Sequence, residues 1–363
     1  MRVFFLRLEK AISELQTRCA LSGFAIVCLL ALSVGLSSAQ EAETQLPALL
    51  RSGQSALDAG DLPRAAADFG KAREIAPDSL EANRGLLLTY LEAGKLGEAE
   101  QVGAQAAAHW PQDAQLQHWL GLVYFKMGHS PQALEALQRS EKLDGAHADI
   151  HFDIALVLLE NKQYSPATEE LEKAIRLKPS DALAHVLLGR AYQNTNRTVQ
   201  AIEQFQAALR LNPELPLGHY HLGFAYASLG RNAEAIAEYQ KELVRSPESS
   251  NVRYELGHCL LETGNWKTAI IHLKKATGLD PKNPDAAYDL GKALLLDGDA
   301  NAAIAALRNA IALNPTDPSP HYQMARALEK TGNADEAKLE MQHFAQLKKA
   351  QPQSGGMASG RIQ

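Results

Sequence analysis

The sequence predicts an all-α protein built from nine consecutive 34-residue repeats. Counted from Leu46, one position is alanine in every unit: Ala65, Ala99, Ala133, Ala167, Ala201, Ala235, Ala269, Ala303 and Ala337. Twelve residues earlier, eight of the nine units carry a small residue, with Leu87 as the exception: Gly53, Gly121, Ala155, Gly189, Gly223, Gly257, Gly291 and Ala325. Small side chains at two spaced positions let paired helices approach closely, and an aromatic content of only 6% favours helices over sheets.

Two further registers predict where each helix ends. Proline recurs at the end of the second helix, with Gly145 replacing it once: Pro77, Pro111, Pro179, Pro213, Pro247, Pro281 and Pro315. Glycine recurs between the two helices, with Lys162 and Asn196 replacing it in two units: Gly60, Gly94, Gly128, Gly230, Gly264, Gly298 and Gly332. Glycine tolerates the left-handed conformation that ends many helices, so each unit is predicted to be helix, tight turn, helix, turn.

The pattern within one unit, Leu188-Gly189-x-x-Tyr192, then Ala201-x-x-x-Phe205-x-x-Ala208 and Pro213, resembles the tetratricopeptide repeat. The resemblance covers residues 46–349 and implies a right-handed superhelical solenoid of helix-turn-helix repeats. It also implies that first helices line the concave side and second helices the convex side. One such unit cannot bury its own apolar face, so stability depends on stacking. The last unit departs from the pattern at Phe344 and Lys349, and its second helix has polar residues suited to a capping role.

The two ends of the chain have a different character. An apolar run from Cys19 to Leu36 precedes the small residues Ser37-Ser38-Ala39 and follows four basic residues: Arg2, Arg7, Lys10 and Arg18. Residues 1–39 are therefore predicted to be a signal peptide or a signal anchor, and both place the repeats outside the cytoplasm. Residues 40–45 are a polar linker, and residues 350–363 are predicted to be a flexible tail. We expect a periplasmic or secreted protein, or one held at the membrane by its N-terminus.

Composition and motifs argue against several functional classes. With 36 Lys and Arg against 42 Asp and Glu, the chain lacks the positive excess typical of proteins that bind nucleic acids or anionic membranes. Metalloprotease, serine hydrolase and dinucleotide-binding motifs are absent from the sequence. The sequence therefore predicts no enzyme, no cofactor and no metal site. Histidines at the fourth position of four units, at 151, 185, 219 and 321, are interpreted as packing residues, because stacked helices are too far apart to share one ion.

The fifth position of each unit predicts a binding surface. The resemblance places this position toward the concave groove, and four consecutive units have tyrosine there. With the ninth position, the predicted peptide-binding residues are Tyr220, Phe224, Tyr254, His258, Tyr288, Lys292, Tyr322 and Arg326. Tyrosine offers a large contact area at low entropic cost. Packing of the same tyrosines against the preceding unit's second helix is the alternative, and the sequence leaves both open.

These features predict an exported, non-catalytic scaffold or adaptor that binds peptide segments of other proteins in its groove. The alternative is an accessory subunit that presents substrates to a separate envelope enzyme, as the repeat region of protein glycosyltransferases does. Catalysis by scattered residues such as His219, His221 and Asp289 is a third, weaker hypothesis. The sequence leaves the partner and the oligomeric state open.

Overall fold

The computed structural model describes residues 45–350, which form eighteen helices arranged as nine consecutive pairs. The predicted signal segment 1–39, all but the end of the linker, and the tail beyond residue 350 lie outside the described residues. Among residues 45–350, no helix has both the length and the apolar character needed to cross a bilayer. The nine pairs coincide with the nine predicted repeats.

The N-terminal unit ends at Ala146 and contains three helix pairs. In each pair the first helix has an odd number and the second an even one: α1 45–58, α2 Leu62–Ile75, α3 Leu80–Glu92, α4 Leu96–His109, α5 Ala114–Lys126 and α6 Ser130–Leu143.

The C-terminal unit starts at His147 and contains six helix pairs. Its helices are α7 Ala148–Glu160, α8 Tyr164–Leu177, α9 Ala182–Asn194, α10 Thr198–Leu211, α11 Gly218–Ser228, α12 Asn232–Arg245, α13 Ser250–Glu262, α14 Trp266–Leu279, α15 Pro284–Asp297, α16 Ala300–Leu313, α17 Pro318–Lys330 and α18 Ala334–Ala350. Consecutive helices pack against each other, and one continuous apolar core runs from Ala155 to Ala337.

The turns within the pairs confirm the glycine register. All seven glycines have a positive φ, and the two replacements adopt the same conformation, with φ of 58° at Lys162 and 60° at Asn196. This conformation lets the following amide N–H bond back to the helix, as Gln163 N does to Leu158 O at 2.8 Å. A side chain with a Cβ is strained there, so these two units have a less favourable turn than the other seven.

The proline register is also confirmed, because every second helix that it follows stops before it. The last helix lacks that signal: with Lys349 in place of proline, α18 runs for 17 residues to Ala350. The nine alanines of the first register are all buried.

A pairing of unequal side chains lies at the centre of each repeat. In six units, a glycine on the first helix faces a large residue on the second: Phe69, Leu137, Phe205, Tyr239, Leu273 or Leu307. A Cβ added at Gly257 would lie 2.6 Å from Leu273 Cγ, well inside contact distance. The second unit reverses the arrangement, with Leu87 on the first helix packed against Gly103 on the second. Leu87 was the one exception in the small-residue register, and Gly103 makes room for it.

One first helix starts late, which the repeat spacing did not predict. Four of the first helices in the C-terminal unit begin after an oxygen-bearing side chain that accepts a backbone N–H: Asp181, Ser249, Asn283 and Asp317. The equivalent residue before α11 is Leu215, which has no acceptor, and α11 starts only at Gly218 after Leu217 takes a left-handed conformation.

The carboxylate of Glu242 instead accepts the backbone N–H of Tyr220, at 3.3 Å, in the first turn of α11. Glu242 is 1% exposed, and it breaks a register that is alanine in six other units.

The unequal pairing predicts a compensating exchange at one repeat. Gly257→Leu overpacks the contact with Leu273 and is expected to cost about 1–3 kcal/mol. Leu273→Gly leaves a cavity and is expected to cost roughly 2–5 kcal/mol. The double variant reproduces the Leu87–Gly103 arrangement and should recover roughly 0.5–3 kcal/mol relative to the sum of the two single losses.

Urea unfolding followed by circular dichroism measures all three variants against the unchanged chain. Strictly additive losses would show that the two positions do not constrain each other.

Candidate peptide-binding face

The first helices of the C-terminal unit lie against one another along one side. From α9 onward, consecutive first helices contact each other more extensively than consecutive second helices do. A stack of helix pairs curves toward the row that is packed more closely. The first helices therefore form the more closely packed row of this unit, which is the row that the family resemblance assigns to the concave side.

The eight predicted residues lie on α11, α13, α15 and α17, and we call them the first-helix face. Their exposure varies along the row. Tyr254 is 7% exposed and belongs to the core, whereas Tyr322 is 40% exposed. Tyr220 and Tyr288 are half-buried and pack against the core. The tyrosine row thus contributes to the core in the middle and to the surface at its C-terminal end.

Polar bridges join the middle of the first-helix face. His258 Nδ1 lies 2.8 Å from Asp289 Oδ2 on the next first helix, and the hydrogen bond to Asp289 raises the pKa of His258 although burial opposes it. Lys292 Nζ donates to Glu262 Oε1 at 2.9 Å, which lowers the pKa of Glu262. Two of the predicted basic residues are thus paired across the helix interface. They stabilise the stacking of α13 on α15 and balance the charge of this part of the face.

Aromatic side chains lie at both ends of the face. On α11, the rings of Tyr220 and Phe224 are 6.4 Å apart. On α17, Tyr322 packs on Phe344 at 5.4 Å, and the guanidinium of Arg326 lies 5.9 Å from the Tyr322 ring centre. Burial raises the pKa of Tyr220 to about 12, with Glu255 adding to the rise, so its hydroxyl is neutral at pH 7. Neutral hydroxyls on apolar rings can contact both the backbone and the side chains of a bound peptide.

Tyr239 packs beneath the α11 end of the first-helix face, in the core next to Tyr220. It is fully buried on α12, and its ring centre lies 6.1 Å from that of Tyr220. Its hydroxyl is one of three buried polar side-chain groups in residues 45–350 without a hydrogen-bond partner. The repeat pattern gave no prediction for Tyr239 or Glu242. The detectable signals were a hydroxyl at an otherwise apolar register and a carboxylate at a register of small residues and one phenylalanine.

The fourth-position histidines are paired within their own units. Each ring Nδ1 lies close to the side chain nineteen residues later, on the second helix of the same repeat: His151–Glu170 at 2.7 Å, His185–Gln204 at 2.7 Å, His219–Glu238 at 2.6 Å and His321–Glu340 at 2.6 Å. The interpretation as packing residues missed these polar partners, because it compared equivalent positions between units rather than the two helices of one unit.

The three residues of the catalytic hypothesis have separate partners. His219 contacts Glu238, His221 stacks on Phe205 at 5.5 Å, and Asp289 contacts His258. Burial lowers the pKa of His221 to about 4, helped by the charge of Arg190, so this imidazole is neutral at pH 7. The structure does not bring the three side chains together as an acid–base group.

A cleft in the N-terminal unit is separate from all of these residues. It lies over α5, between the second helices α4 and α6, and its lining includes Ala104, Pro111, Leu120, Tyr124, Glu135 and Arg139. The residues that line this cleft include alanines, an aromatic side chain and charged side chains. Their polar groups do not point to one common position, as they would in a typical ligand site.

Comparison with protein-family models identifies the repeats independently. A tetratricopeptide-repeat model matches residues 50–114 and, in overlapping segments, 163–216, 186–250 and 223–284, just over half of the chain. A model for subunit 3 of the anaphase-promoting complex, or cyclosome, matches residues 92–174 and 262–342. A search of curated proteins finds no match.

Several solved structures are similar to this chain. YrrB, described as a TPR protein with an unusual peptide-binding site, is 24% identical over 52% of this chain and 96% of its own, with a TM-score of 0.47. MamA from Desulfovibrio magneticus RS-1 is 22% identical over 47% of this chain and 97% of its own, with a TM-score of 0.45. The APC/C assembly Cut9–Hcn1 is 19% identical over 74% of this chain, with a TM-score of 0.48, and this chain covers about half (52%) of that one.

Proposed function

The chain belongs to the tetratricopeptide-repeat family, and on that basis we propose that it is an exported, non-catalytic scaffold whose first-helix face binds peptide segments of other proteins. Binding to proteins or peptides is the common activity of this family. The observation that carries the finer proposal is the exposed Tyr322–Arg326 pair at the end of an aromatic row on the first helices of the C-terminal unit. Exposed aromatic side chains beside a cation are efficient anchors at protein interfaces.

The chemistry of the face favours a peptide with aromatic or apolar side chains. The basic groups at positions 258 and 292 are already paired with acidic neighbours, so they offer little net positive charge to an acidic peptide. Arg326 contacts only Gln323 and the Tyr322 ring, at 3.2 and 5.9 Å, among the contacts described for it. We therefore expect affinity to come mainly from burial of the Tyr322, Phe224 and Tyr220 rings, with Arg326 contributing orientation.

The peptide proposal is tested by selecting binders from a displayed library of random peptides against the full chain. Tyr322→Ala should weaken the selected peptides at least about tenfold, which corresponds to ~1.4 kcal/mol, because it removes the most exposed aromatic anchor of the face. Fluorescence anisotropy with a labelled peptide measures the change.

Ile271→Ala is the matched control, since Ile271 is an exposed apolar residue on the second helix α14. It should leave the affinity unchanged. Equal losses in both variants, or a selection that yields no peptide dependent on Tyr322, would contradict binding at the first-helix face.

Export is proposed from the order of basic, apolar and small residues in positions 1–39. Cleavage after Ala39 predicts that the chain recovered from its host begins at Gln40, and a retained anchor predicts an intact N-terminus in the membrane fraction. N-terminal sequencing of the fractionated protein measures this. An intact N-terminus in the soluble cytoplasmic fraction would refute both forms of the proposal.

A further inference from the structure

The last repeat contains a cluster of histidine and glutamate side chains that differs from its counterparts in the other repeats. His321 on α17 and Glu340 and His343 on α18 each offer one ligand atom, and all three atoms lie within 4.8 Å of one another. His321 Nδ1 is 2.6 Å and His343 Nδ1 is 3.9 Å from the same oxygen of Glu340. The two imidazole rings meet edge to face, with centres 5.5 Å apart.

Two other repeats of the C-terminal unit have the same histidine–glutamate pair but a lysine as the third member. In one, Lys173 Nζ lies 2.8 Å from Glu170 Oε1, and His151 contacts the other carboxylate oxygen of Glu170. In the other, Lys241 lies 2.7 Å from Glu238, which contacts His219. An ammonium group at this position neutralises the carboxylate and repels a cation.

Among the three repeats with this histidine–glutamate pair, the last has a histidine in place of the lysine. His343 occupies the position of Lys173 and Lys241, three residues after the glutamate. The ammonium group beside the carboxylate in the two earlier triads is thus exchanged for a side chain that can bind a metal ion, while the carboxylate and the first histidine stay in place.

From this exchange we infer that His321, Glu340 and His343 bind a zinc ion. Imidazole nitrogens and a carboxylate oxygen, with water in the fourth position, are a ligand set that zinc prefers and that magnesium and calcium do not. Two ligands at about 2.1 Å from one ion can be separated by no more than about 4.2 Å. The observed separations from Glu340 satisfy this limit, and zinc would take the place of the hydrogen bond between His321 and Glu340.

The exposure of the three residues suits an ion that enters from solvent. The side chain of His321 is buried and that of Glu340 is 21% exposed, so the base of the cluster is shielded from water. His343 is 54% exposed and can turn toward the ion without disturbing the core. Because α18 buries only Ala337, a metal bridge to α17 would fasten the terminal helix, which has little apolar packing of its own.

The proposal is tested by titrating the tag-free, chelator-treated full chain with Zn²⁺ in a calorimeter. We expect one zinc per chain and a higher melting temperature with zinc, but no response to Mg²⁺ or Ca²⁺. His343→Lys should weaken zinc binding at least about tenfold and remove the rise in melting temperature. Its helical circular-dichroism signal should not change, because it restores the triad used by two other repeats. Co²⁺ should give the visible absorption of a low-coordinate site in the unchanged chain and not in this variant.

Two further variants sharpen the result. His109→Lys changes an exposed histidine of the N-terminal unit and should leave zinc binding intact. Lys241→His builds a second histidine–glutamate–histidine cluster and should raise the stoichiometry to two. Zinc binding that is equal in the unchanged chain and in His343→Lys, or lost equally in His109→Lys, would overturn the proposal, as would a Lys241→His variant that binds no additional zinc.

Discussion

The close approach of the two helices within each repeat is the constraint on which the remaining structure depends. It requires a small or missing side chain on one helix wherever a large side chain projects from the other, as at Gly257 and Leu273. The reversed pair, Leu87 with Gly103, shows that the requirement concerns the combined volume of the two positions rather than glycine at one of them. Since each repeat packs only on its neighbours, the same requirement recurs from unit to unit.

Satisfying this constraint at a few registers leaves the outward positions of both helices free to differ. The first helices of the C-terminal unit use that freedom for aromatic side chains and for bridges between repeats, such as His258 with Asp289. The second helices use it for carboxylates that hold a histidine or cap a helix, as Glu242 does for α11. Binding chemistry is therefore added to the repeat without changing the contacts that define it.

The repeats, the turns and the C-terminal ends of the second helices were predictable because each depends on one residue type at a fixed spacing. A glycine, a proline or an alanine has the same consequence in each unit that carries it. The turn keeps its left-handed conformation even where Lys162 and Asn196 replace the glycine. The exposure of the tyrosines was not predictable, because it depends on what the neighbouring units place beside them. Tyr254 is enclosed by the core, whereas Tyr322 lies beside Phe344 in the last repeat and stays at the surface. The pairing of each fourth-position histidine with the side chain nineteen residues later could be predicted only by comparing these two positions of the repeat together.

The central claim, that the first-helix face of the C-terminal unit contacts partner proteins, is tested most directly by site-specific photocrosslinking in the native host. A photoreactive phenylalanine analogue placed at position 322 reports contacts of the first-helix face, and the same analogue at position 271 reports contacts of the outer helices. Crosslinks to defined proteins from position 322 and none from position 271 are the predicted result. Crosslinks from position 271 alone would contradict the account.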